Sequence, residues 1–296
     1  MAVYVLSCCA TADLTPEWME RRNLSYVNFH MELDGKQYPD DMGKTITPEI
    51  LFSSMAAGAM TRTSQVTIGE YEEYFRGFLE KGKDVLHLTL SSGISGTYNS
   101  AMIAQRELAQ EFPDRKLYIV DSLGASSGIG LLLDKLADLR DEGQEIDQVY
   151  AWVEANKKRV RHSFFSTDLT YYIRGGRISK ASGTIGNLLG ICPLLEVDAA
   201  GKLVVKEKVR GKKKVMKRSL EILLETIDQG ADYTDQCFIS HSDFLEEARE
   251  LAGMIQESLP KMKGKVEIFS IGATIGSHTG PGTIAIFYWG KERSDG

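Results

Sequence analysis

The stretch with the clearest chemical potential is Ser91-Ser92-Gly93-Ile94-Ser95-Gly96-Thr97, which follows the apolar run DVLHLTL. A strand that ends in two serines, turns through glycines and opens a helix near Thr97 gathers hydroxyls and free backbone N–H groups at one helix N-terminus. Such a place binds an anionic head group through hydrogen bonds and the helix dipole. In an open α/β sheet it also lies at the carboxyl end of a strand, where ligands sit. The plainer use of Ser95 or Thr97 is helix capping. A second hydroxyl cluster, TRTSQVT from Thr61 to Thr67, precedes the helical segment GEYEEYFRGFL and raises the same two possibilities. A third feature is SHTGPGT, residues 277–283. It is expected to hold His278 on a rigid, exposed turn.

Three motifs imitate better-known chemistry. LGASSGIG, residues 123–130, carries the G-x-x-x-G-x-G spacing of a dinucleotide site. That chemistry also needs a Tyr with Lys four positions later, and none of the twelve tyrosines has one. Gly124, Gly128 and Gly130 are therefore read as allowing a tight turn and close helix–strand packing. GFLEKGKD, from Gly77, begins like a P-loop but places Asp84 where Ser or Thr should meet magnesium, and it precedes a strand rather than following one. GISGT, from Gly93, has Thr97 where a nucleophile elbow needs its last glycine. None of the three hydroxyl-bearing clusters offers paired carboxylates or a metal set, so no metal and no cofactor is expected.

These residues must be positioned by the elements around them. Seven β-rich runs recur (VYVLSC, DVLHLTLSS, KLYIVDS, HSFFSTDL, QCFISHS, KVEIFSIG and TIAIFYWG), separated by segments with apolar residues three and four apart. Alternating strands and helices imply an α/β protein with mostly parallel sheet. The chain of 296 residues suits two medium domains, and the best break divides 1–163 from 164–296. It is 43% apolar with a net charge of -6, which argues against general nucleic-acid binding. Its four cysteines have no metal spacing and read as thiols in a reducing cytoplasm. VYVLSCCA has no preceding Lys or Arg and is too brief for a signal, so a buried first strand is expected there, and no run is long enough for a stable membrane insertion. The block KLVVKEKVRGKKKVMKR, residues 202–218, stands out as basic in an acidic chain.

In series, the segments resemble the DegV family of fatty-acid-binding proteins. The matching pieces are TADL (11–14), DGKQYPD (34–40), TSQ (63–65), SSGISGTYNSA (91–101), DS-x-GASSGIG (121–130), Y-x-RGGRIS (172–179), PLL before GKL (193–203), KVRGKKK (208–214) and HTGPGT (278–283). SSGISGTYNSA and RGGRI are the most specific, and the pieces run in the family's order along nearly the whole chain.

The resemblance implies a two-domain DegV-like α/β fold, with a mostly parallel sheet in the N-terminal domain and a long-chain fatty acid buried at or near the domain interface. The acid would be of the palmitate, stearate or oleate class. Its carboxylate would be held by Thr63 and Ser95, with Ser92 the other candidate serine, Ser64 and Gly96 beside them, and His278 completing the site. Family members in bacteria present the acid to a separate fatty acid kinase subunit that makes acyl phosphate for phospholipid synthesis, and are themselves not catalytic. Arg174, Arg177 and Arg210 are then expected to form a basic surface for that kinase or for the acyl phosphate. Leu188, Leu189, Ile191, Leu194 and Leu195 are apolar enough to line a tail tunnel, although ordinary core packing is the expected use of most of them. A reading from another class is an α/β enzyme acting on a small carboxylate or phosphate with Ser95 and His278 in the chemistry. The chain departs from the family pattern at Cys9 and Ala10, where Asp and Ser are usual, at Val66 and Thr67 after TSQ, and at Cys192 before proline.

Overall fold

The computed structural model describes residues 4–179 and 190–294. Four strands, β1 (Tyr4–Cys9), β2 (Leu24–Val27), β6 (Asp84–Thr89) and β7 (Leu117–Asp121), form an all-parallel sheet in the order β2-β1-β6-β7. β1 and β6 are buried along almost their whole length, as strands covered on both faces must be. Helices α3 (Ile68–Leu79), α4 (Thr97–Glu111), α5 (Ser127–Asp141) and α6 (Ile146–Asn156) follow or connect these strands. β3 (Phe29–Leu33), β4 (Lys36–Asp40) and β5 (Thr61–Ser64) make a small antiparallel sheet, order β4-β3-β5. The β3–β4 hairpin turns on Asp34 and Gly35, both with left-handed φ, the pairing that suits a two-residue turn.

The third sheet has six strands in the order β10-β9-β8-β13-β11-β12. These are β8 (Val160–Ser166), β9 (Ile191–Val197), β10 (Leu203–Arg210), β11 (Cys237–Ser242), β12 (Val266–Ser270) and β13 (Thr283–Trp289). Helices α8 (Lys212–Thr226) and α9 (Leu245–Ser258) pack on it, while α1 (Pro16–Arg21), α2 (Pro48–Ala56), α7 (Thr170–Arg174) and α10 (Ala273–Thr279) are short.

The α/β class and the parallel N-terminal sheet agree with the expectation. The mostly parallel character does not extend to the third sheet, where only β11–β12 pair in parallel. The reason is connectivity: β9 and β10 are joined by a tight turn, and β13 returns between β8 and β11. The basic block 202–218 is β10 and the first half of α8, and Lys206, Lys212 and Arg218 are paired with Glu196, Glu247 and Glu207. We propose that the division into two units falls just before Val160, because β8 runs unbroken through 163 and 164.

Helix α5 is the element between the sheets. Twelve of its fifteen residues are buried, and it touches β1 on one side and β8, β11 and β13 on the other. Its buried Asp134 and Arg140 are satisfied by Arg22 and by the Arg22 and Asn23 carbonyls, and its apolar residues are covered from both sides. The LGASSGIG glycines allow this. A methyl group on Gly124 would sit 2.7 Å from His162 Nε2, one on Gly130 would sit 2.6 Å from Leu14 Cδ2, and one on Gly128 would overlap the His162 ring. Replacing Gly128 with Ala should therefore destabilise the fold by about 1–3 kcal/mol through overpacking. Gly77→Ala on α3, where the added methyl meets nothing within 4 Å, should stabilise by about 0.5–1 kcal/mol. Urea midpoints of the two variants that move in the same direction would contradict this packing.

Candidate functional site

Thr63 lies on β5, an edge strand whose pairing with β3 sets Met31 opposite Thr63. Its hydroxyl meets His278 Nε2 at 2.7 Å. His278 does not stand on an exposed turn; it occupies the last turn of α10, whose N-terminus is capped by Asp40 Oδ2 accepting from the Thr274 N–H at 2.9 Å. The glycines of GPGT follow the helix rather than carry the histidine. The imidazole Nδ1 is buried, makes no hydrogen bond among the described residues, and faces Gly175, where any side chain would overlap it. The first glycine of RGGRI is thus explained by His278. Arg177 donates to the Gly175 carbonyl from the same turn. Burial first, and the Arg177 charge second, push the His278 pKa down to about 4. At neutral pH the ring is uncharged.

Ser95 precedes α4 and accepts from the Thr97 N–H at 3.2 Å. Its hydroxyl also reaches Gln65 Oε1 at 3.5 Å. Gly96 is the N-cap of α4 and lacks a side chain because Gln65 Oε1 lies 2.8 Å from where its Cβ would be. Gln65 is anchored in turn by donating to Ser100 at 2.9 Å. Gln65 was missed as a site residue, although it is the third letter of TSQ.

These groups border one cavity of about 420 Å³. Thr63, Ser64, Gln65, Ser95, Gly96, Arg177 and His278 form its polar part. The rest is mainly apolar: Phe29, Leu90, Ile94 and Ala125 come from the N-terminal half, and Phe164, Leu203, Ala285 and Phe287 from the third sheet. Ser126 donates to Asp13 at 2.6 Å, and the Tyr172 and Thr283 hydroxyls meet each other at 3.1 Å, so these wall groups are engaged with the protein.

Not every expected residue arrives there. Ser92 is exposed, is absent from the lining, and its N–H donates to Asp121 at 3.1 Å. Arg174 is exposed and stacks over the Tyr171 ring at 5.4 Å, next to Met60. Arg210 is exposed at the end of β10. Ile191, Leu194 and Leu195 belong to β9 and do not line the cavity, and Leu188 and Leu189 lie outside the described residues. The departures from the family pattern are absorbed away from it. Cys9 sits in a buried chain, its sulfur 3.2 Å from Tyr71 Oη, which meets Thr97 Oγ1 at 2.8 Å. Burial pushes the Cys9 thiol up to about 11 and the neighbouring His87 down to about 3, so the pair holds no thiolate. Ala10, Val66 and Cys192 are buried, and Thr67 caps α3 in a capping box with Glu70.

A family model described as the uncharacterised DegV family matches residues 10–291. The chain belongs to the DegV family. A DegV domain-containing protein of Clostridium perfringens is 38% identical over 293 residues, covering 99% of each chain. A Thermus thermophilus DegV protein described for fatty acid binding has a TM-score of 0.84 at 29% identity, covering 97% of this chain and 99% of its own. A DegV lipid-binding protein of Thermotoga maritima has a TM-score of 0.82 at 28% identity, covering 99% of this chain and 100% of its own.

The depressed His278 gives a signed pH dependence. The unfolded histidine titrates near its ordinary 6.5 and the folded one near 4, so between those values the unfolded state binds more protons. Its contribution to stability is complete above pH 6.5 and is lost as the pH falls toward 4. His278→Gln should reduce the slope of the urea midpoint against pH in that window. An unchanged slope would contradict the buried, neutral imidazole.

Proposed function

We propose that this DegV protein carries a long-chain fatty acid in the cavity and presents its carboxylate to a partner kinase. The observation that carries the reading is the make-up of the cavity: hydroxyl, amide and imidazole groups paired as Thr63 with His278 and Ser95 with Gln65, in a lining whose remainder is mainly hydrocarbon. A neutral His278 donating from Nε2 leaves the Thr63 O–H for a ligand oxygen, and Ser95 with the first N–H groups of α4 can take the other. Tail burial is worth roughly 0.8 kcal/mol per methylene, so a palmitate-length tail supplies on the order of 10 kcal/mol before ordering costs. The tail sets affinity and the head cluster sets orientation.

The small-ligand enzyme reading loses support from the same contacts. Ser95 is hydrogen bonded to Gln65 and to the Thr97 N–H, while His278 Nε2 meets Thr63 and its Nδ1 faces Gly175. Among the described residues, neither imidazole nitrogen is hydrogen bonded to Ser95, so it has no base to activate it. Of the three arginines proposed for the partner or the phosphoryl group, Arg177 lines the cavity, whereas Arg174 and Arg210 are exposed beyond it. The first is suited to the head group and the other two to the partner.

Native mass spectrometry after incubation with palmitate or oleate tests the carrier reading. The protein should hold one acid, and Thr63→Ala and Ser95→Ala should each weaken it by roughly 10- to 100-fold, the worth of a hydrogen bond to a charged group. A protein that takes up neither acid would overturn the reading. Arg174→Glu should keep the acid but lose acyl phosphate formation with a fatty acid kinase; loss of acid binding instead would move Arg174 into the pocket.

A further inference from the structure

Resting on the carrier reading, we propose that His162 is the end stop of the cavity and sets the longest acyl chain the protein accepts. The third sheet supplies one wall of the cavity through alternate residues of two paired strands. Ser166, Phe164 and His162 of β8 stand opposite Thr283, Ala285 and Phe287 of β13. All of these except Ser166 line the cavity.

The polarity of this wall gives the chain a direction. Thr283 follows α10 and His278 by five residues, and its hydroxyl meets Tyr172 of α7, the helix that leads into the Gly175–Arg177 turn. The Thr283 end is therefore the head-group end. Phe287 and His162 lie four residues further along the strands, about 13 Å away at the usual strand rise. There the wall meets the start of α5. The His162 ring fills the notch left by Gly124 and Gly128 and stands nearly perpendicular to the Phe287 ring, with centroids 5.1 Å apart.

His162 blocks this end as a fixed, apolar-behaving plug. Its Nε2 accepts from the Ala125 N–H at 3.2 Å, which leaves Nδ1 protonated and donating to the Val160 carbonyl at 3.1 Å. Both nitrogens are thus engaged, and the ring offers only its carbon edge and face to a ligand. A methyl terminus fits that surface, whereas an ω-hydroxyl or ω-carboxylate finds no partner and is rejected. The glycine pair also marks where space would open, because the imidazole occupies the room beside Gly124 and Gly128, next to Ala125 and Ser126 of the cavity wall.

The test is competition for the protein among equimolar saturated acids from laurate to behenate, read by native mass spectrometry. His162→Ala should move the preferred length upward by roughly two to four carbons, the room left by the deleted ring. The wild type should also discriminate against the ω-hydroxy acid of its preferred length. A variant that binds with the wild-type length profile overturns the end stop while leaving the carrier reading intact. A wild-type protein that binds none of the acids overturns the carrier reading and this one with it. If His162→Ala does not fold, Ala285→Leu is read instead: it fills the same wall nearer the head and must shorten the preferred chain, and an unchanged profile overturns the proposal.

Discussion

Helix α5 has almost no side open to water, and the two larger sheets are held where they are by the need to cover it. One surface of the helix lies on β1 of the parallel sheet, and the opposite surface lies against β8, β11 and β13. The contact is close because glycines replace side chains where His162 and Leu14 approach. Side-chain hydrogen bonds tighten the same junction. Ser126 donates to Asp13, and Ser127 meets Ser240 of β11 across the seam. Burial holds the Asp13 carboxyl well above the usual range, and the nearby Asp40 adds to it. The cavity lies beside this seam, with walls from both halves of the chain, so its shape follows from how the two sheets clasp one helix.

The head cluster depends on the same clasp. Thr63 reaches it from the edge of the small antiparallel sheet, Ser95 from the turn before α4, and His278 from a short helix inserted between β12 and β13. No two of these three are neighbours in sequence. They meet because α10 is pinned at its start by Asp40 and at its end leaves room only for Gly175 beside the imidazole. Neutral donors from Thr63, Ser95 and His278, with the Arg177 guanidinium also in the lining, suit a carboxylate whose tail supplies the affinity.

Much of this was legible in the sequence. The seven apolar runs all hold strands, and Gly124, Gly128 and Gly130 allow the close packing expected of them. Six of the described strands lie outside those runs: β2, β3, β4 and β5 are short and partly exposed, although Asp34-Gly35 is a hairpin signal, while β9 reads in sequence as tunnel lining and β10 as part of a basic block. The antiparallel third sheet was hidden because strand pairing depends on connections that periodicity does not encode. At the site, Thr63, Ser95 and His278 were named on resemblance, and the structure gathers them at one cavity. Gln65 was overlooked because its role, filling the space over Gly96, needs three dimensions. His278 was misplaced onto a turn because a helix of seven residues ending before a glycine leaves little periodic trace. The roles of Arg174 and Arg177 diverge for a similar reason: a turn with Gly176 at left-handed φ points one side chain outward and the other into the cavity.

The central claim is that a fatty carboxylate sits between Thr63, Ser95 and His278. Carbon-13 NMR of the protein loaded with carboxyl-labelled palmitate addresses it directly, because the label reports only on the head group. The account predicts one carboxyl resonance distinct from free palmitate, which moves when Thr63 is changed to Val and when His278 is changed to Gln. It should not move when Arg210 is changed to Ala. A resonance at the free position, or one indifferent to Thr63 and His278, would contradict the account.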